Sequence, residues 1–132
     1  MSELRERIRE TIESEPVVAF VKGTHEQVFC GNSARALDAL RSVGASFTAV
    51  DVLPDPAIRQ ELSALSNWPT IPQVFVGGEL IGGADIVQEL AATGDLEAKL
   101  TEKLGDGWRR PGEEHTVELT EGGGGLRLAP GL

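Results

Sequence analysis

The segment WPTIPQVFVGGELIGGADI, residues 68–86, contains the pattern that decides the fold. Two short apolar runs, 73–76 and 79–81, are separated by two glycines, and this arrangement predicts a β-hairpin with a two-residue turn. A proline-punctuated loop precedes the hairpin, and a second pair of glycines ends it, after which a helix is predicted to begin near Ala84. The segment therefore predicts a loop, an antiparallel strand pair and a helix in succession.

The preceding residues predict alternating helices and strands. Leu4, Ile8 and Ile12 recur every four positions, which is typical of an amphipathic helix. The apolar run 17–21 is too short for a helix and rich in β-branched residues, so it predicts a buried strand, and a second strand is predicted over 46–52. The remaining predicted helices begin at Gly31, Pro56, Ala84 and shortly before Leu96. The order α-β-α-β-α-β-β-α-α predicts an α/β protein with a four-stranded mixed sheet flanked by helices, its first two strands parallel.

The last part of the chain differs in composition from the rest. We predict one domain over residues 1–105 and a Gly/Pro-rich C-terminal tail over 106–132, which contains four consecutive glycines. A glycine run loses much entropy on ordering, which favours a mobile tail. The period-two alternation at 117–119 and 126–128 leaves a marginal hairpin as the alternative.

Composition and charge exclude several classes of partner. The net charge is -9 and the isoelectric point about 4.6, so nucleic acid and membrane surfaces are not expected partners. No apolar run approaches the ~20 residues that span a bilayer, and the charged N-terminus does not resemble a secretory signal. One cysteine among 132 residues excludes an internal disulfide. These features predict a cytoplasmic protein.

The single cysteine lies where a loop meets a helix. Cys30 directly precedes the predicted second helix, whose N-terminus would stabilise a thiolate, and Lys22 would add a positive charge. Ser33 stands where a C-x-x-C motif has its second cysteine, so an oxidised Cys30 must pair with an external thiol. The alternative is that Cys30 is a small hydrophobic core residue without a chemical role.

Two further features lie at strand ends. The sequence Thr70-Ile71-Pro72 precedes a strand, and a cis proline there would expose backbone groups that pair with an extended peptide, whereas an ordinary trans proline is the alternative. At the next helix start, free N–H groups beside Gly83 would attract a carboxylate, although Asp85 could simply cap its own helix. Together with Cys30, these features predict a slot for a short anionic peptide beside a thiol.

With these motifs the chain resembles the monothiol glutaredoxins, the single-domain iron–sulfur type usually identified by a C-G-F-S sequence. The resemblance covers about residues 3–105 and includes the spacing between Lys22 and Cys30. The matching segments are 21–23, 30–33, 55–59, 68–73 and 77–87.

The resemblance implies a thioredoxin-like fold with Pro72 in cis and a glutathione site. The residues that would bind glutathione are Lys22, Arg59, Thr70, Ile71, Pro72, Gly83, Ala84 and Asp85. Within this set, Lys22 and Arg59 would hold the glycine carboxylate of glutathione. The backbone of Ile71 would pair with the cysteinyl unit, and Ala84 with Asp85 would receive the γ-glutamyl end.

The resemblance also implies that Cys30 is the reactive thiol and the ligand of a [2Fe–2S] cluster. Such a cluster needs four ligands, usually thiolates, and this chain offers one. Two chains and two glutathiones would supply all four, which implies a homodimer with the cluster and a monomer without it. The family accepts clusters from scaffold proteins, passes them to client apo-proteins and pairs with BolA-type partners.

Two residues depart from the family pattern. Asn32 replaces the family phenylalanine, and Ala84 stands where many members have a second cysteine. Two other functions therefore stay open at this point. One is a glutathione-dependent thiol–disulfide oxidoreductase in which Cys30 attacks mixed disulfides; the other is an interaction module that keeps the fold while its site is weakened.

Overall fold

The computed structural model describes residues 3–119 and the backbone of 127–128. The helices are α1 (Glu3–Ser14), α2 (Gly31–Ser42), α3 (Pro56–Ser66), α4 (Ala84–Thr93) and α5 (Asp95–Leu104), followed by a 3-10 turn at Asp106–Trp108. The strands are β1 (Val17–Val21), β2 (Phe47–Asp51), β3 (Gln73–Val76), β4 (Glu79–Gly82), β5 (Glu114–Glu118) and β6 (Arg127–Leu128). All nine elements predicted before residue 105 are present. No helix in these ranges has the length and apolarity needed to cross a bilayer.

The strands form one mixed sheet in the order β4-β3-β1-β2-β5-β6. β1 and β2 are parallel and are joined through α2, whereas β1, β3 and β4 alternate in direction. The predicted α/β fold, with a mixed sheet between helices, is therefore confirmed.

The sheet has six strands rather than the predicted four. β5 pairs in parallel with β2, with Ala49 opposite Thr116, and β6 pairs with β5 through Val117 and Leu128. Residues 106–119 thus continue the domain instead of forming a mobile tail from residue 106, because β5 pairs with the backbone groups along the free edge of β2. The tail prediction for 120–126 and 129–132 falls outside the described residues.

Two apolar cores lie on opposite faces of the sheet. Alternate residues of β1 point into them: Val17, Ala19 and Val21 into one, Val18 and Phe20 into the other. The first core is closed by α2, α4, α5 and the indole of Trp108, and the second by α1 and α3. Burial on both faces explains why β1 is a continuous apolar run.

Candidate functional site

The predicted site residues gather at one edge of the sheet. β1 and β2 are parallel, so both end at this edge, at Val21 and Asp51. β3 is antiparallel to β1 and begins there, just after Pro72, and β4 returns to the same edge at Gly82. The loops carrying Lys22, Cys30, Pro72 and Gly83 are therefore neighbours, as the sequence predicted.

Cys30 is the residue that caps the N-terminus of α2. Its backbone is extended, with φ -138° and ψ 131°, and its carbonyl accepts the Ala34 N–H at 3.0 Å. The residue is partly exposed. Cys30 is therefore not a core residue, which removes the structural basis of the alternative that it is a small hydrophobic core residue.

Several groups lower the pKa of the Cys30 thiol. The strongest influence is the hydrogen bond from the Ser33 backbone N–H, which together with smaller effects outweighs the opposing effect of partial burial. The Asn32 backbone N–H, the Ser33 hydroxyl and the positive charge of Lys22 act in the same direction. More thiolate, the form that attacks disulfides and binds metals, is therefore present at neutral pH than for an ordinary cysteine.

The loop between β1 and Cys30 is held at both ends. The buried Ser33 hydroxyl accepts the Lys22 N–H at 3.1 Å, and Asp51 Oδ1 accepts the Gly23 N–H at 2.9 Å. Gly23 has φ +131°, and a Cβ there would lie 2.3 Å from the Gln27 carbonyl oxygen, so the turn requires glycine. These bonds fix the path by which the chain reaches Cys30.

One groove contains six of the eight predicted glutathione-binding residues. It has a volume of roughly 380 Å³, and the Ile71–Pro72 peptide bond beside it is cis, as predicted. Its lining residues are Asn32, Trp68, Thr70, Ile71, Pro72, Gly83, Ala84, Asp85 and Ile86.

A second groove contains the other two, Lys22 and Arg59. It has a volume of roughly 520 Å³ and is also lined by Leu53 and Pro56. The structure therefore divides the predicted residues between two grooves. Cys30 lines neither groove. Asn32, two positions after Cys30, lines the first, and Lys22, whose N–H bonds the Ser33 hydroxyl at the start of α2, lines the second.

The loop before β3 is fixed by a buried amide that the sequence analysis did not single out. Gln73 is fully buried, and its Nε2 donates to the carbonyl oxygens of Trp68 at 2.9 Å and Thr70 at 3.2 Å. Close packing continues on the other side, where a Cβ on Gly83 would lie 3.3 Å from the Pro72 carbonyl oxygen. The two loops at the ends of the β3–β4 hairpin thus form one continuous groove wall.

Arg35 was also missed, and it connects α2 with α4. Its Nη1 donates to Asn32 Oδ1 at 2.8 Å, and its Nε donates to Gln88 Oε1 at 2.9 Å. Its Nη2 donates to Gln88 Oε1 at 2.6 Å and to the Asp85 carboxylate. The side chain of Asp85 therefore pairs with Arg35 and makes no capping bond to its own helix, which Gly83 caps instead.

Apolar side chains border the site. Three large hydrophobic residues are exposed among those the structure describes: Phe29 (67%), Leu53 (49%) and Ile86 (39%). Phe29 precedes Cys30, Leu53 lines the second groove and Ile86 lines the first. Exposed apolar side chains therefore occur next to Cys30 in the chain and in the wall of each groove.

Similarity to known proteins identifies the family of this chain. The family model named Glutaredoxin matches residues 17–81. Glutaredoxin 4 of Escherichia coli (strain K12) is 43% identical over 102 residues, covering 77% of this chain and 89% of that protein. The chain belongs to the glutaredoxin family. With one cysteine, this glutaredoxin is of the monothiol type.

Two further similarities place this glutaredoxin in context. Monothiol glutaredoxin-S11 of Oryza sativa subsp. japonica is 46% identical over 99 residues, or 75% of this chain, but the match spans only 20% of that longer protein. The crystal structure of a buckwheat glutaredoxin–glutathione complex superposes with a TM-score of 0.66 at 29% identity, covering 75% of this chain and 88% of that one.

Proposed function

We propose that this glutaredoxin binds glutathione and carries a [2Fe–2S] cluster, with Cys30 as the protein ligand, for transfer in iron–sulfur protein assembly. The observation that carries the proposal is a partly exposed thiol of lowered pKa at the sheet edge where the predicted glutathione-binding residues line two grooves. A cluster ligand must be deprotonated and reachable, and Cys30 meets both conditions.

The grooves support glutathione as the co-ligand. Lys22 and Arg59 place two cations in the second groove, where they would bind the glycine carboxylate. The first groove has Asp85 at the helix start, where the γ-glutamyl end would bind. It is also lined by Ile71, whose backbone would pair with the cysteinyl unit. A relative of the same fold has been crystallised as a glutathione complex.

The ligand count supports a cluster shared between two chains. In residues 3–119, no three His, Cys, Asp or Glu side chains are grouped so that they could hold a metal ion. Cys30 would therefore need thiolates from outside the chain: a second Cys30 and two glutathiones complete the four. The apolar residues around Cys30 would be covered in this homodimer and would be free in the apo monomer to meet a BolA-type partner, a scaffold or a client.

A second function, glutathione-dependent disulfide exchange, is favoured by the lowered pKa of Cys30. The thiolate would attack the glutathionyl sulfur of a mixed disulfide and release the protein thiol. A second glutathione would then attack the glutathionyl sulfur of the Cys30–glutathione disulfide. This step releases the Cys30 thiolate and forms oxidised glutathione. Either function would use the reduced glutathione of the cytoplasm.

Anaerobic reconstitution with iron, sulfide and glutathione tests the proposal. The wild-type chain is expected to become coloured and dimeric, as measured by visible absorption and size-exclusion chromatography, whereas Cys30→Ser stays colourless and monomeric. Omitting glutathione from the wild-type reaction should also prevent assembly. A stable cluster in Cys30→Ser would refute the ligand assignment, and a colourless wild type that rapidly reduces mixed disulfides would favour the second function.

A further inference from the structure

An ion pair between Arg35 and Asp85 lies beside the first groove, and Asp85 is part of the groove wall. The Asp85 carboxylate lines the groove and its side chain is 89% exposed, while the Arg35 guanidinium that pairs with it is 41% exposed. Asn32 lines the groove as well and holds Nη1 of Arg35 through its side-chain oxygen. Arg35 does not itself line the groove, but its hydrogen bonds to two residues of the groove wall, Asn32 and Asp85, place its guanidinium directly beside it.

The donor count leaves Arg35 with capacity for another acceptor. A guanidinium has five N–H groups, and the contacts with Gln88, Asn32 and Asp85 use four of them. The fifth is on Nη1, the nitrogen bonded to Asn32 of the groove wall. Arg35 can therefore donate a hydrogen bond to a further carboxylate without releasing Asp85.

The chemistry that matches such a pair is an amino-acid zwitterion, which has an ammonium and a carboxylate group on one carbon. We propose that Arg35 binds the α-carboxylate of the γ-glutamyl unit of glutathione, while Asp85 accepts hydrogen bonds from its α-ammonium group. This inference rests on the proposed glutathione function and adds a binding residue to it. Asn32 acts as a positioning residue, because its amide oxygen accepts a hydrogen bond from Nη1 and so holds this nitrogen beside the groove wall.

A purely structural role for Arg35 makes a different prediction. If Arg35 only linked α2 to α4, its replacement would affect all tripeptide ligands alike. The helices already pack through the buried side chains of Ala36, Leu40 and Val87, and exposed ion pairs contribute little to stability. Arg35→Gln is therefore expected to fold normally, so that changes in ligand selectivity can be measured.

The test uses three S-methylated tripeptides, which bind without thiol exchange. They are S-methylglutathione, the glutaryl analogue without the α-ammonium group and the 4-aminobutyryl analogue without the α-carboxylate. Their dissociation constants are measured by calorimetry on the full chain for wild type, Arg35→Gln and Arg9→Gln. Arg9 pairs with Glu6 within α1 and serves as the matched charge control.

For the wild type and the Arg9→Gln control, each deletion should weaken binding about five- to tenfold, the size expected for one charge-assisted contact in a partly exposed site. In Arg35→Gln, the loss from removing the carboxylate should disappear while the loss from removing the ammonium stays. If Arg35→Gln keeps the full carboxylate effect, the inference about Arg35 is wrong. If the wild type binds none of the three tripeptides, the proposed glutathione function fails as well.

Discussion

At Cys30, the main influence on the thiol is a backbone group that no side-chain substitution removes directly. The Ser33 N–H belongs to the first turn of α2, whereas the charge of Lys22, which follows β1, contributes least. The sequence predicted the helix-start effect and the cation. It did not predict that the Ser33 side chain adds to both, because the hydroxyl lies within reach only once the turn has formed.

Replacing Ser33 with alanine should raise the pKa of Cys30. The variant loses the hydroxyl hydrogen bond, one of the smaller pKa-lowering effects, and keeps the backbone one, so the shift is upward and partial. The rate of alkylation by iodoacetamide follows the thiolate fraction. The alkylation rate of Ser33→Ala should therefore be lower than that of the wild type at pH values below the pKa of the thiol. At pH values well above the pKa the two rates should be equal. Ser42→Ala removes a hydroxyl at the other end of α2, where it bonds Ala39, and should leave the curve unchanged. An unshifted curve for Ser33→Ala would contradict the assigned role of the hydroxyl.

The link between Asn32, Arg35 and Asp85 could not be found from sequence. Asn32 and Arg35 are three positions apart in a predicted helix, which indicates a contact, but Asp85 is 50 positions further along the chain. Their meeting depends on how α2 packs against α4. The departure at Asn32 from the family phenylalanine gains a physical meaning only from that packing.

At the level of elements, the start of α3 followed directly from local sequence. Asp55 caps the helix through a 2.9 Å bond from the Ala57 N–H to its Oδ1, and Pro56 occupies the first turn. Both features were readable because a cap depends only on neighbouring residues.

Removing this cap should cost stability. Asp55→Ala is expected to lower the free energy of unfolding by ~1 kcal/mol, because one N–H at the helix start loses its partner. Asp55→Asn keeps an acceptor and should unfold close to the wild type in urea titrations. Equal losses in both variants would indicate that the charge of Asp55, rather than its hydrogen bond, stabilises the helix.

The alternation at 117–119 and 126–128 left a hairpin as the alternative, and β5 does pair with β6 there, but the pairing of β5 with β2 could not be predicted from local sequence. Glu114–Glu118 shows only a short alternation, and its partner β2 lies more than sixty residues earlier. The strand also contacts the loop before Cys30, because the buried Thr116 Oγ1 accepts the His25 N–H at 2.9 Å. Nonlocal pairing of this kind becomes visible only in the folded chain.

Thr116→Val should loosen the loop without disrupting the sheet. The His25 amide loses its acceptor, so its hydrogen exchange is expected to accelerate by about fivefold, equivalent to the ~1 kcal/mol of a typical hydrogen bond. Thr48→Val is the matched control. Thr48 lies on β2 and bonds Glu15 and His115 rather than the loop. Unchanged exchange at His25 in Thr116→Val would show that this bond does not limit opening of the loop.

At the scale of the whole molecule, the fold class and the gathering of the site at one sheet edge were both predictable. Each predicted site feature lay at a strand end, and the handedness of the β1–α2–β2 crossover restricts how those ends meet. A tryptophan in a polar segment indicates an anchor for that segment, but which core Trp108 extends was not predictable, since local sequence does not show what it packs against.

Trp108→Ala should destabilise the whole domain. The indole is 6% exposed, packs in the core between the sheet and α5, and donates from Nε1 to Thr101 Oγ1 at 2.9 Å. We expect a loss of ~3–5 kcal/mol in the free energy of unfolding, measured by denaturant titration. Trp108→Phe keeps most of the apolar contact and should lose clearly less. A loss below ~1 kcal/mol for alanine would show that the segment after α5 is an appendage of the domain.

The bond between His25 and Thr116 has a thermodynamic consequence. A ligand that binds more tightly when the 23–28 loop is closed must, by reciprocity, strengthen the attachment of β5 by the same factor. Ligand binding near the thiol would then slow proteolytic cleavage of the β5 segment, so the cleavage rate would report whether the site is occupied.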